Sequence, residues 1–295
     1  MKNFFIIFRA YSWPASIVPV IIGSVVSHNY VAFSWADFAL TLTAALAVHS
    51  AANLANTYFD FRNGVDKPGF SDDRALVDGL LTPLTALRLT FALFAAAAAI
   101  GVYLSLKHRL PLLLALGASG FLLAWFYTAG NISYKYRALG DLGIFFAFGP
   151  LIVSGTALIQ TGRILAEALW ASVPVGLLIT AILHANNMRD FSSDRGAGIK
   201  TLAGLLGRER SRTFYRIILF TPYAFALLSG LWPAVFTAAS IPFALKLDAM
   251  AAAADLSPLV KKTAGFVTIF GVLFSAGLWI QPLICGDLRT APLFQ

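Results

Sequence analysis

The chain has 295 residues, of which 58% are hydrophobic and 12% charged, and its mean hydropathy is +0.75. Soluble domains carry roughly 25% charged residues, so this composition excludes an ordinary soluble protein and indicates an integral membrane protein. The net charge of +8 is not accompanied by a separate basic domain or nucleic-acid motif, so we expect no nucleic-acid partner.

Nine segments are long and apolar enough to cross a bilayer, which takes about 20 residues each. Seven of them are 11–28, 36–56, 84–106, 110–129, 139–160, 168–187 and 262–284. The eighth and ninth come from the run 214–247, which is too long for one crossing and is predicted to break at 229–233, where Pro233 removes a helix donor. The predicted fold is all-α: a multi-pass membrane protein with nine transmembrane helices in a bundle around a central cavity.

The distribution of lysine and arginine predicts the orientation. With the N-terminus in the cytoplasm, the cytoplasmic side holds all of the 22 basic residues except Lys107, Arg109, Arg163 and Arg289. This positive-inside pattern predicts a protein of the cell (cytoplasmic) membrane with its N-terminus and polar motifs on the cytoplasmic side. The only cysteine is Cys285, so no disulfide forms within one chain.

Two related motifs stand where apolar runs give way to polar loops. The sequence ANTYFDF at 55–61 has a counterpart, ANNMRDF, at 185–191, and each is followed by one more aspartate. The four motif acids are Asp60, Asp66, Asp190 and Asp194. Each motif opens a loop of about 27 residues, a length typical of functional loops, which we expect to form cytoplasmic caps. We expect a single domain, 1–295, in two pseudo-repeat halves with motifs at 53–83 and 186–207.

The polar residues around each motif recur at helical spacing, which places them on one face. The first stripe is His49, Asn53, Asn56 and Asp60, and the second is Asn186, Asp190 and Asp194. Charged groups at membrane depth are costly and normally face a wet cavity. For His49 and His184, hydrogen bonding within the bundle is the simpler interpretation.

Carboxylate and amide oxygens without a cysteine and histidine cluster suit a hard cation such as Mg²⁺, which is commonly held by carboxylates, water and substrate phosphate. Five basic residues flank the acids: Lys67, Arg74, Lys135, Arg189 and Lys200. Acids alone would indicate a cation path, whereas acids interleaved with fixed cations indicate a diphosphate. A cation-coupled transporter remains the alternative of another class, although its site is expected near the bilayer midplane and not at one face.

These motifs resemble the UbiA superfamily of intramembrane prenyltransferases. The resemblance lies in 56–66 (NTYFDFRNGVD) with 74–83 (RALVDGLLTP), and in 186–195 (NNMRDFSSDR) with 198–203 (GIKTLA). It extends to 9–16 (RAYSWPAS), 127–128 and 139–156. The second acid of the first motif lies six residues after Asp60, with Gly64 between them. This spacing resembles the 1,4-dihydroxy-2-naphthoate polyprenyltransferases of menaquinone synthesis more than the 4-hydroxybenzoate branch. Related sequences commonly have aspartate where this chain has Thr57.

The resemblance implies Mg²⁺-dependent transfer of a polyprenyl group from an isoprenyl diphosphate to an aromatic acid. The acceptor would be 1,4-dihydroxy-2-naphthoate, prenylated with loss of CO₂ to give demethylmenaquinone. The alternative acceptors are 4-hydroxybenzoate or another phenol. The prenyl tail would lie in a groove open to membrane lipids. Chain length and oligomeric state stay open.

The resemblance also implies a role for each site residue. The metal ligands would be Asp60, Asp66, Asp190, Asp194, Asn56 and Asn187. The diphosphate would be bound by Asn56, Lys67, Arg74, Arg189 and Lys200. The four acids would act in catalysis with Lys135, which stabilises the leaving group, and with Tyr127, which shields the allylic cation together with Tyr134.

Overall fold

The computed structural model describes residues 2–65, 75–130, 132–196 and 198–285, and every regular element in these ranges is a helix. The helices are α1 (Lys2–Ile7), α2 (Pro14–His28), α3 (Trp35–Arg62), α4 (Pro83–His108), α5 (Pro111–Phe126), α6 (Gly140–Thr161), α7 (Ala166–Arg189), α8 (Phe191–Gly196), α9 (Leu202–Leu228), α10 (Leu231–Ala238), α11 (Ile241–Met250) and α12 (Leu259–Cys285). A 3₁₀ turn at Ala10–Ser12 precedes α2, and α6 contains a π-helical turn at Ala147–Leu151. The all-α prediction is confirmed.

Local sequence explains where several helices begin. Ser34, Thr82 and Thr201 directly precede α3, α4 and α9, and the side chain of each accepts a hydrogen bond from a backbone N–H of the first turn. These N-caps satisfy donors that a helix start otherwise leaves without partners. Pro83 follows its cap at the first helical position, where the missing N–H costs nothing.

Six helices of the described chain are long and apolar enough to cross a membrane: α2 with its preceding turn, α3, α4, α6, α7 and α12. They confirm a multi-pass membrane protein, and α5 is a shorter apolar helix of 16 residues. The predicted count of nine crossings is not confirmed. The run 214–247 does break after Leu228, but its second part forms α10 and α11, of 8 and 10 residues. Each rises only about 12–15 Å, half of the roughly 30 Å hydrocarbon core.

The main core lies between α2, α6, α7, α9, α11 and α12, and a smaller cluster joins α3 to α4. Small residues bring helices close: a Cβ at Gly23 in α2 would lie 2.5 Å from the carbonyl oxygen of Val153 in α6. Such contacts allow membrane helices to associate through close packing. In contrast, α5 buries only Leu113, and a cavity remains between α5 and the main core. The pseudo-repeat of two halves stays a prediction.

Candidate active site

A cavity of about 1320 Å³ is lined by residues of α2 to α8, the start of α12 and nearby loops. One face of α3 lines it from Thr41 to Asp60, which corresponds to roughly 28 Å along the helix axis. Its wall is mainly apolar and includes Ala45, Ala98 and Leu116, whereas charged side chains gather where α3 and α7 end. The shape suits a molecule with a charged head and a long apolar tail.

The first motif places Asp60 at the charged end, in the last turns of α3. Asp60 is 4% exposed, and its Oδ2 lies 2.6 Å from the Nζ of Lys135. The hydroxyl of Tyr136 donates a hydrogen bond to the other carboxylate oxygen, Oδ1. Lys135 also donates to the Oδ1 of Asn56, one helical turn before Asp60, at 2.9 Å. The first motif is thus connected to the segment between α5 and α6.

Backbone hydrogen bonds hold that segment in place. The N–H of Lys135 donates to the carbonyl of Tyr127 at 3.0 Å, and the hydroxyl of Tyr134 donates to the carbonyl of Leu123 at 2.6 Å. The Tyr127 and Tyr134 rings meet edge to face, with centroids 5.4 Å apart. The Nζ of Lys135 lies 5.9 Å from the Tyr127 centroid, within cation–π range. Lys135 therefore contacts both Asp60 and the Tyr127 ring, and Tyr127 in turn contacts Tyr134.

The second motif begins on α7, which ends at Arg189, so that Asp190 is the C-cap residue. Arg189 makes a two-pronged ion pair with Asp190, at 2.7 Å from Nε to Oδ1 and 2.8 Å from Nη2 to Oδ2. Asn186 bridges the pair: its Oδ1 accepts from Arg189 at 2.9 Å, and its amide donates to Asp190 at 3.1 Å. Paired N–H···O bonds of this kind are the strongest that carboxylates make with arginine.

Asp194 lies beyond the end of α7, on the short helix α8. The predicted stripe of Asn186, Asp190 and Asp194 therefore spans two helices and not one, because α7 ends before Asp190. All three residues nevertheless line the cavity, and the N–H of Asp194 donates to the carbonyl of Asp190 at 2.9 Å. Burial and the negative charge of Asp190, with a smaller contribution from Asp60, raise the pKa of Asp194 to about 6, against the opposing effect of Lys135 and Arg189. The acids of the two motifs are thus close enough to influence each other, in an environment that favours an added cation.

The cavity brings together most of the site residues that the sequence predicted. Eight of them line it: Asn56, Asp60, Tyr127, Lys135, Asn187, Arg189, Asp190 and Asp194. Lys200 is exposed; its backbone carbonyl accepts from the N–H of Ala138, so this residue supports the loop that carries Lys135. Three further predictions, Asp66, Lys67 and Arg74, lie outside the described residues.

Thr57, the position commonly occupied by aspartate in related sequences, is 1% exposed, and its hydroxyl donates to the carbonyl of Asn53 in its own helix. The polar stripe of α3 is as predicted, since His49, Asn53, Asn56 and Asp60 all line the cavity. Both nitrogens of His49 are occupied by serine hydroxyls of the α2 region, Ser12 at 2.9 Å and Ser16 at 2.7 Å. Hydrogen bonding within the bundle, the simpler interpretation of His49, matches this arrangement.

Sequence reasoning missed the roles of two residues near this site, Tyr136 and Asp141. Tyr136 follows Lys135 directly, and only the fold shows that it reaches Asp60, 76 positions away. Asp141, His184 and Asn187 form a buried network behind the second motif: His184 is 3 residues from Asn187 on α7, and Asp141 lies in the first turn of α6. The Leu-Gly-Asp at 139–141 was the available signal, but nothing in it indicates a partner on α7.

Within the described ranges, no three acidic, histidine or cysteine side chains stand close enough to hold a metal ion by themselves. Asp60 and Asp190 are each engaged by a protein cation instead. What the arrangement offers is a set of oxygen donors at the end of an apolar cavity. A metal ion there would take its remaining ligands from water and from phosphate oxygens of a bound molecule, as Mg²⁺ commonly does.

Comparison with known proteins agrees with this geometry. The model of the UbiA prenyltransferase family matches residues 16–273. The human protein named UbiA prenyltransferase domain-containing protein 1 is 38% identical over 286 residues, which cover 93% of this chain and 82% of that protein. Its homolog in Drosophila melanogaster is 37% identical over 283 residues, covering 93% of this chain and 78% of that protein.

Solved structures share the fold. The apo structure of a UbiA homolog from Aeropyrum pernix K1 has a TM-score of 0.72 at 20% identity and covers 92% of this chain and 98% of that one. A UbiA homolog from Archaeoglobus fulgidus bound to GPP and Mg²⁺ has a TM-score of 0.68 at 13% identity, covering 94% and 99%. With a family match over most of its length and these relatives, the chain belongs to the UbiA prenyltransferase family.

Proposed function

We propose that the protein catalyses Mg²⁺-dependent transfer of a polyprenyl group from an isoprenyl diphosphate to an aromatic acceptor. One observation carries the proposal: acids of two separate motifs meet Lys135 and Arg189 at the charged end of a cavity whose remaining wall is apolar. A prenyl diphosphate has the same division between a charged head and an apolar tail. The related structure from Archaeoglobus fulgidus, bound to GPP and Mg²⁺, supports the same ligand class.

The donor chemistry at the charged end fits magnesium. Carboxylates and amide oxygens are hard ligands. Burial and the neighbouring charge of Asp190 raise the pKa of Asp194, and a bound cation would offset both effects. The ligands would be Asp60, Asp190, Asp194, Asn56 and Asn187. Asp66 completes this proposed set from outside the described residues. When bound, the metal supplies Lewis-acid neutralisation of the diphosphate oxygens.

The protein's own cations would assist departure of the diphosphate. The bond between the allylic carbon and its oxygen breaks, and the electron pair leaves on the diphosphate. Lys135 is held beside Asp60 by the backbone of Tyr127, so its charge is already in place when negative charge develops. Arg189 offers a second fixed charge at Asp190. Lys67, Arg74 and Lys200 stay proposed contacts of the same diphosphate.

The rings of Tyr127 and Tyr134 would face the allylic cation. An aromatic face stabilises a cation by about 0.5–2 kcal/mol. The hydrogen bond from the Tyr134 hydroxyl to Leu123 and the edge-to-face contact with Tyr127 hold the two rings in place. The apolar wall would take the prenyl tail and keep water away from the cation. The ring carbon of the acceptor then forms the new bond to the allylic carbon.

As acceptor we propose 1,4-dihydroxy-2-naphthoate, which loses its carboxylate as CO₂ on prenylation and gives the quinol form of a demethylmenaquinone. The six-residue spacing from Asp60 to Asp66 supports this choice. The alternative is 4-hydroxybenzoate or another phenol. Membership of a prenyltransferase family argues against the cation-coupled transporter. We further propose that the charged end faces the cytoplasm, in the cell membrane, as the lysine and arginine distribution predicts.

The test uses purified full-length protein in lipid nanodiscs. It is given geranyl or longer prenyl diphosphates with 1,4-dihydroxy-2-naphthoate, 4-hydroxybenzoate or no acceptor, in Mg²⁺ or EDTA. We expect a prenylated product by mass spectrometry, with CO₂ release from the naphthoate and no product in EDTA. If only 4-hydroxybenzoate gives product, it replaces 1,4-dihydroxy-2-naphthoate as the proposed acceptor. Absence of product and of diphosphate release with every acceptor, including simple phenols, would overturn the proposal.

A further inference from the structure

We propose that Asp141 and His184 are positioning residues that orient the side-chain amide of Asn187, so that its oxygen faces the cavity. The proposal rests on the function proposed above, because the oxygen would serve there as a ligand for the divalent cation. Asp141 and His184 are buried and lie behind the residues that line the cavity.

The network connects three helices. The Nδ1 of His184, on α7, lies 2.8 Å from the Oδ1 of Asp141, on α6, and its Nε2 lies 3.1 Å from the backbone carbonyl of Ser211, on α9. The Nδ2 of Asn187 lies 3.4 Å from the Oδ2 of Asp141. His184 is 0% exposed and Asp141 4%. A buried, bonded arrangement of this kind has few alternative geometries.

Proton counting determines which atoms donate. The carbonyl of Ser211 can only accept, so the Nε2 of His184 carries a hydrogen. The Nδ1 of His184 and the Oδ1 of Asp141 must then share one proton, because two lone pairs would otherwise face each other at 2.8 Å. A second proton on Asp141 would leave a net positive charge in this buried site, which is costly. Wherever the shared proton resides, the Oδ2 of Asp141 carries none.

The orientation of Asn187 follows from this count. Because the Oδ2 of Asp141 can only accept, the amide NH₂ of Asn187 must face it, and the Oδ1 of Asn187 faces the opposite way. Asn187 is 7% exposed and lines the cavity. In the part of the chain that the structure describes, no donor hydrogen-bonds to this oxygen. The neighbouring Asn186 is engaged by Arg189 and Asp190, so its amide cannot replace that of Asn187.

Two replacements of Asp141 separate orientation from mere packing. Asp141→Asn keeps an acceptor for Asn187: its NH₂ can donate to the Nδ1 of His184 while its oxygen still accepts from Asn187. Asp141→Leu keeps four side-chain heavy atoms branched at Cγ but offers no acceptor, so the amide of Asn187 is free to turn. Asn187→Leu removes the oxygen itself and therefore shows how much Mg²⁺ affinity is lost when this ligand is absent.

The experiment measures ligand binding without turnover. Thermal unfolding of each full-length variant in detergent is followed against Mg²⁺ concentration in the presence of inorganic pyrophosphate. Outer partners of metal ligands contribute about 10–100-fold to metal affinity. We therefore expect Asp141→Leu and Asn187→Leu each to raise the half-saturating Mg²⁺ concentration by about tenfold or more. We expect Asp141→Asn to stay close to wild type, and the double variant Asp141→Leu/Asn187→Leu to show no further loss.

The outcomes separate the two proposals. If Asp141→Leu lowers the unfolding temperature without changing the Mg²⁺ response, or if its effect adds to that of Asn187→Leu, the positioning role is refuted. A loss in Asp141→Asn equal to that in Asn187→Leu refutes it as well. Should Asp141→Leu not fold, Asp141→Ala supplies the same comparison. A wild-type protein insensitive to Mg²⁺ with pyrophosphate would overturn the proposed function, and this inference with it.

Discussion

Replacing Lys135 with methionine removes one positive charge and keeps an unbranched side chain that is one atom shorter. In the native protein its Nζ lies 2.6 Å from the Oδ2 of Asp60, whose side chain is 6% exposed. Removing one partner of a buried ion pair costs about 3–5 kcal/mol. We expect about 3 kcal/mol, the lower end, because the hydroxyl of Tyr136 still donates to Asp60.

The effect on turnover has a different origin. A fixed charge that stabilises a leaving group is comparable to one oxyanion-hole donor, whose loss lowers kcat by about 10²–10³-fold. We therefore expect Lys135→Met to reduce kcat by about this factor. Thermal unfolding in detergent and prenylation of the acceptor in nanodiscs measure the two effects separately.

A second substitution distinguishes them further. Asp60→Asn in the Lys135→Met background removes the carboxylate that has lost its partner. The double variant should therefore unfold at a higher temperature than Lys135→Met alone, while its activity stays at the lower level. The reasoning is refuted if Lys135→Met retains the unfolding temperature and turnover of wild type, or if the double variant is less stable than both wild type and Lys135→Met.

Three other predictions follow from the second motif and from the orientation. Asp190→Asn should reduce product formation to near background, because it removes a proposed metal ligand and the partner of Arg189. The control Asp255→Asn, a change in an exposed loop, should leave product formation unchanged. Equal activities of the two variants would contradict the assignment. The pKa of Asp194 is raised to about 6 from an unfolded value near 4, so its ionisation penalises the folded state as pH rises through this window. In EDTA, the unfolding temperature of Asp194→Asn relative to wild type should rise as the pH increases from about 4 to about 6, and a pH-independent difference would refute this. For orientation, Ser192→Cys in a Cys285→Ser background should react with a membrane-impermeant maleimide only after lysis; reaction in intact cells would place the charged end outside.

The sequence predicted the helices well where they are long and uniformly apolar. Hydropathy is a local property, so the crossings at 84–106 and 168–187 match α4 and α7 closely. The run 214–247 broke where Pro233 and its neighbours indicated, but its second half folds as two short helices. Pro242, in the first turn of α11, marks this second break, and Gly277 of α12 packs closely on Pro233 in α10.

The candidate site was predicted in part for a similar reason. Helical period alone put Asn56 and Asp60 on one face of α3, and the structure places both on the cavity wall. The same period placed Asp194 with Asp190 on the cavity wall, although the helix is interrupted at Asp190 between α7 and α8. That interruption was not predicted, because neither glycine nor proline marks it in the sequence.

The sequence by itself determined that this chain lies in a membrane, where its long helices run and which acids stand at their ends, because hydropathy and helical period depend on near neighbours. Only the tertiary structure decided that Lys135 pairs with Asp60, 75 positions away, and that Asp141 and His184 support Asn187 from behind. It also decided that Lys200 supports a loop at the surface. These contacts depend on which helices pack together, and that packing depends on the shape of whole surfaces.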